Sequence, residues 1–162
     1  MERNIEEIIT HFDIIGDFDG FEKNETGHIN ESYRIHTNSV EHPGYFLQWI
    51  NNTIFKDVDG LMENICSVTR HLAQKLAENP KLDFSVLEVI PCNDGKNFYL
   101  DPDGQYWRLY TFIDDAHGYN VVENVEIANE GGKVLIAFGV LDEGEVSEVF
   151  FKKTHTCYLR DG

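Results

Sequence analysis

The stretch YFLQWINNTIFKDVDGLMENICSVTRHL, residues 45–72, decides how this chain folds. Its first six residues, YFLQWI (45–50), form an apolar run broken once by Gln48, and read as a strand. NNTIFKDVDG (51–60) is polar and reads as a loop. From Leu61 the period changes. Leu61, Ile65, Val68, Leu72 and Leu76 recur at threes and fours, which predicts a helix over 61–77. Asp59 is the expected N-cap and Pro80 the stop.

Upstream, Ile5, Ile8, Ile9 and Phe12 fall on one face of a short amphipathic helix over residues 4–12, with Glu6 and Glu7 on the other. Phe18–Glu25 and Glu31–His36 read as two strands joined around GHIN (27–30), with Tyr33 and Ile35 on one face. SVEHPGY (39–45) is the next turn, punctuated by Pro43-Gly44. Downstream, Val86–Pro91 predicts a fourth strand. Phe98–Asp101 is a short candidate before the turn DPDG. YWRLYTFI (106–113) is a strong strand by its aromatic and β-branched content. A further helix is expected from about Asn124. The fold class expected is therefore α+β: an antiparallel five-stranded sheet with one helix packed on it.

The 162 residues are enough for one domain with a real core. A hydrophobic fraction of 41% with 12% aromatic residues excludes a disordered tail. The formal charge of −16 excludes nucleic acid as a partner bound through the bulk field, since phosphates would be repelled. Cys66, Cys92 and Cys157 are odd in number and widely spaced, which argues for reduced thiols. MERNIEEIITHF carries acids and no apolar signal core, and no run approaches the length of a membrane span. The expected location is cytoplasmic. In that setting the N-x-S/T triplets at Asn24, Asn30 and Asn51 carry no meaning for glycosylation.

Most chemical motifs fail on spacing. His28, His36, His42 and His117 do not pair on any expected helix, so no metal site is read from them. Asp57-Val58-Asp59-Gly60 resembles a fragment of a calcium loop but lacks the remaining acids, leaving a polar loop and helix cap. G-x-S-x-G is absent, and no cysteine has an evident base beside it. Asp114-Asp115 follows a strong strand, where a solvated loop and a ligand contact are both open. Two readings also stand for GHIN. It is a hairpin turn, or a loop whose glycine lets backbone N–H groups approach a phosphate.

Taken together, TGHINESY (26–33), residues 45–72, LEVIPCNDG (87–95) and YWRLYTFIDDAHGYNVVEN (106–124) resemble the aminoglycoside/choline kinase-like phosphotransferases. The nearest subgroup is the N-acetylhexosamine 1-kinases. This resemblance spans most of residues 10–130. It implies a protein-kinase-like N-terminal lobe over 1–123, with 124–162 as the start of a truncated helical lobe. ATP is implied as phosphoryl donor, Mg2+ as helper and an N-acetylhexosamine or related sugar as acceptor. Gly27, His28, Ile29 and Asn30 map onto the loop over the phosphates. Phe112, Ile113 and Asp114 map onto the connector that meets adenine, and Leu47 and Pro91 onto the apolar walls of the pocket. Gln48 stands where most kinases carry a phosphate-binding lysine, which shifts the neutralising charge onto Mg2+ and backbone N–H groups. Glu63 is a candidate orienting carboxylate, with a surface role as its alternative.

The sequence also departs from that pattern. It contains no H-x-D-x-x-x-x-N, the string that would supply a catalytic aspartate and metal ligands; HGYN (117–120) comes nearest. The A-F-G triplet at 137–139 is displaced by three residues, and EVSEVFFKKTHTCYLRDG (145–162) matches the family pattern poorly if at all. The expectation is a truncated or frameshifted product, inactive alone. Its alternative is a non-catalytic module that binds a protein or itself through the exposed lobe interface.

Overall fold

A computed structural model of the chain describes residues 3–24, 29–42, 44–78, 85–113 and 125. The chain divides into two compact units, Met1–Arg70 with Val86–Asp114, and His71–Ser85 with Asp115–Gly162. Of the second, only the last turns of one helix, Ser85 and Val125 are described. The sheet and the site lie in the first.

The described elements are α1 (Ile5–Ile9), β1 (Phe18–Asn24), β2 (Glu31–Thr37), β3 (Gly44–Ile50), α2 (Val58–Glu78), β4 (Val89–Ile90), β5 (Tyr99–Leu100) and β6 (Tyr106–Thr111). One six-stranded sheet runs in the order β1-β2-β3-β6-β4, with β5 also paired to β6. Every pairing is antiparallel. β4 meets Leu109 and Tyr110 while β5 meets Tyr106 and Trp107, so the two short strands lie end to end along one edge of β6. The α+β class and the antiparallel sheet agree with the sequence reading. Six strands replace the expected five, because Tyr99–Leu100 is a ladder partner in its own right.

Alternation along the strands sorts the side chains onto two faces. One face carries Tyr33 and Ile35 from β2, Tyr45 and Leu47 from β3, and Trp107 and Leu109 from β6. Ile5, Ile8, Ile9 and Phe12 cover it and complete the main core. α1 is short because little holds it beyond this burial. Asn4 caps it by accepting from the Glu7 N–H at 3.3 Å. After Ile9 the chain tightens, with N–H groups reaching carbonyls three residues back. Phe12 then bridges to Cys92.

The opposite face carries Ile50, which packs with Val58 and Met62 of α2 in a second cluster. α2 begins three residues before the expected start. Asp57, not Asp59, is its cap, because the Asp57 carboxylate accepts the Gly60 N–H at 2.9 Å, three residues into the helix. This agrees with the polar loop and cap expected of the DVDG stretch.

Strand lengths differ where backbone donors run out. Val86–Pro91 shrinks to Val89–Ile90, since Pro91 has no N–H to offer a ladder and its carbonyl accepts from Asp13 at 2.9 Å. β1 shifts register between Phe18 and Phe21. Gly20 sits in that shift at φ +113°, a conformation that favours glycine, so the strand takes up an extra residue as a bulge there.

Candidate functional site

The second face of the sheet carries a polar row. In the ladder Ser32 lies opposite Gln48, and Gln48 opposite Arg108. Opposed residues in adjacent antiparallel strands share a face, so the three side chains meet without any loop positioning them. Gln48 Nε2 donates to Ser32 Oγ at 2.9 Å. Arg108 Nε donates to Gln48 Oε1 at 3.0 Å, and Arg108 Nη2 donates to the same oxygen. The row therefore runs from a guanidinium on β6, through an amide on β3, to a hydroxyl on β2.

Arg108 is the charged member, and only 8% exposed. Its Nη1 lies 4.0 Å from Met62 Sδ, which ties it to α2. Its guanidinium carbon is 5.4 Å from the centre of the Tyr110 ring. Burial pushes the Arg108 pKa down, opposed by Tyr110. Burial also raises the Tyr110 pKa, opposed by Arg108. Among the described residues no carboxylate pairs with Arg108.

On the same face, the Arg34 guanidinium stacks 4.2 Å over the Phe112 ring. Gly44 makes room for the strands to approach here. A Cβ at Gly44 would stand 2.7 Å from the carbonyl oxygen of Ile35. Phe112 N–H donates to Gly44 O at 3.3 Å, just past the end of β6.

Asn51, directly after β3, gathers the loop ends. Its N–H donates to Asn30 Oδ1 at 3.0 Å and its Nδ2 to Ile29 O at 3.3 Å. Its own Oδ1 accepts from the Thr53 N–H and hydroxyl at 3.1 and 2.6 Å. The last residues of the β1–β2 connection are thus tied to the turn that leads into α2.

The residues marked in the sequence divide accordingly. Gly27, His28 and Asp114 lie outside the described residues. Ile29 and Asn30 are held by Asn51. Gln48 is central to the polar row. Leu47 is fully buried on the other face, against α1. Pro91 is exposed. Phe112 and Ile113 follow β6 and are partly buried. Glu63 is exposed and lines a pocket of about 750 Å3 with His11, Asp94, Lys96, Phe98 and Tyr106. Its neighbour Met62 is the α2 residue that reaches the polar row. Sequence reasoning missed Arg108, Ser32 and Asn51. The available signal for Arg108 was a lone charge within the strongly apolar run YWRLYTFI.

No group of three or more His, Cys, Asp or Glu among the described residues is arranged to hold a metal ion. No described helix is long and apolar enough to cross a membrane. No protein-family model matches the chain.

Proposed function

We propose that this chain is the nucleotide-binding N-terminal lobe of an ATP-dependent sugar kinase. It would be of the aminoglycoside/choline kinase-like type, with an N-acetylhexosamine or related sugar as acceptor. The observation that carries the reading is the order of connections. Three antiparallel strands come first, a long helix follows the third, and a later strand pairs with the third and with two short strands beyond it. A kinase amino-terminal lobe has that order. Gln48 stands in the middle of the third strand, on the face shared with the helix.

In this reading the β1–β2 connection covers the phosphates, and its end is fastened through Asn30 and Asn51. The segment after β6, with Phe112 and Ile113, meets the base. Phosphoryl transfer depends mainly on positioning and charge neutralisation, and the aspartate that orients the acceptor belongs to a second lobe. The lobe alone binds the donor and does not transfer.

Isothermal titration with Mg-ATP tests donor binding. Supplying a second lobe in trans and assaying sugar phosphorylation tests the rest. A well-folded pair of lobes with no activity would remove support for the kinase reading.

A second reading rests on α2. In this 21-residue helix the buried residues are Val58 and Met62, while Val68 is 42% exposed. An apolar stripe so incompletely covered suits self-association. Light scattering across a concentration series separates the two readings, since a monomer at all concentrations removes the second.

A further inference from the structure

We infer that Arg108 is a binding residue for an anionic phosphate group, reached on the sheet face opposite α1 and held in place by Gln48. Three observations on this face support the inference. Arg108 is only 8% exposed, yet the groups around its guanidinium among the described residues are a neutral amide, a thioether and a phenol ring. A buried cation without a counter-charge carries a heavy desolvation cost. Acids are not scarce in this chain. There are 29 Asp and Glu against 13 Lys and Arg, and still no described carboxylate comes to Arg108. An external anion would supply the missing charge.

The second observation concerns donors. A guanidinium has five N–H groups in a planar fork. Two converge on Gln48 Oε1 and a third faces the Met62 sulfur, a weak acceptor. Two Nη hydrogens are left over from these contacts, and the oxygens of a phosphate suit a planar fork.

Third, Gln48 fixes the guanidinium and is itself fixed. It accepts from Arg108 with its oxygen and donates to Ser32 with its nitrogen, so neither residue can rotate without breaking a bond. Gln48 thus acts as a positioning residue, and the charge that a lysine on β3 would carry stands one strand over, on β6. The owner of the phosphate, a nucleoside triphosphate, rests on the kinase-lobe reading. The anion itself does not.

The test uses the full chain with three probes, Mg-ATP, inorganic tripolyphosphate and adenosine, measured by titration calorimetry. Arg108→Met is expected to weaken ATP and tripolyphosphate by about tenfold or more, the scale of one charge-assisted hydrogen bond. Adenosine binding should not change, and Arg108→Lys should fall between. Equal phosphate affinity in Arg108→Met and the parent would overturn the inference, as would a parent that binds neither phosphate probe. Tripolyphosphate binding that depends on Arg108, with no binding of adenosine or preference for ATP, would sustain the inference and overturn the nucleotide reading. If circular dichroism shows Arg108→Met unfolded, Gln48→Glu serves instead. It places a carboxylate on the guanidinium, and the same loss of phosphate binding is expected; unchanged binding there overturns the inference.

Discussion

Arg108 and Gln48 face each other across β3 and β6, and two nitrogens of the one close on a single oxygen of the other. The contact is buried on the arginine side, so its loss is not repaired by water. Gln48→Leu is expected to lower stability by about 2 kcal/mol, the scale of a hydrogen bond to a charged group. Gln48→Glu, which supplies a counter-charge, should be at least as stable as the parent. Urea denaturation of the two variants checks both expectations. An unchanged midpoint for Gln48→Leu would show that the contact contributes nothing.

Asp101 organises the DPDG turn and the core at once. One carboxylate oxygen accepts the N–H groups of Asp103 and Gln105 at 3.0 and 2.8 Å. The other accepts from Trp107 Nε1 at 3.0 Å, and Trp107 is fully buried. Asp101→Ala leaves that indole N–H without its acceptor, at an expected cost of about 1–3 kcal/mol. Thermal unfolding followed at the tryptophan emission band measures it, and a melting temperature equal to the parent's would refute the assignment.

Gly44→Ala tests the close approach of β2 and β3. The added methyl would meet the Ile35 carbonyl at 2.7 Å, and that carbonyl is backbone in a paired strand. Relief requires the strands to part, at an expected cost of about 1–3 kcal/mol. Gly95→Ala makes a useful contrast, since nothing stands near its Cβ position and only its φ of +83° opposes the change. Hydrogen exchange of β2 amides should quicken in the first variant and not in the second.

Acid should loosen the N-terminal segment. Arg3 lies over the Trp49 ring at 4.3 Å and pairs with Glu31 at 2.8 Å. Burial works against the Glu31 charge, but the Tyr33 hydroxyl, Arg3 and Lys23 outweigh it and hold the carboxyl below its ordinary 4.5. A carboxylate lowered in the folded state contributes stability that is present above the ordinary value and lost as pH falls through the lowered one. Tryptophan emission should therefore change as pH falls below the ordinary 4.5 of a glutamate, and Glu31→Gln should remove that step. A step of the same size in the variant would assign it to another group.

Cys92 offers a last check. Burial, helped by Asp94 and opposed by Lys96, pushes its thiol up to about 11. Because the thiolate is the reactive form, Cys92 should alkylate slowly near neutral pH and readily once the chain is unfolded. Peptide mapping after iodoacetamide treatment reads this directly, and fast labelling of the folded chain would contradict the burial.

Much of this architecture follows from local pattern. The strand runs YFLQWI and YWRLYTFI, and the helical periods before Phe12 and after Gly60, marked β3, β6, α1 and α2 and gave the α+β class. Those periods arise from backbone geometry, which neighbouring residues share. Adjacent residues in a strand face opposite ways, so Leu47 and Gln48 lie on different faces of the sheet. Local pattern could not reveal the partner of Gln48. Arg108 lies 60 residues further on and reaches Gln48 only because β6 pairs with β3 in one particular register. Register depends on which faces are buried against α1 and α2. The sequence alone thus determined which residues are strand and helix and which side chains seek the core. Only the tertiary structure decided that the buried Arg108 meets Gln48 on the face opposite α1.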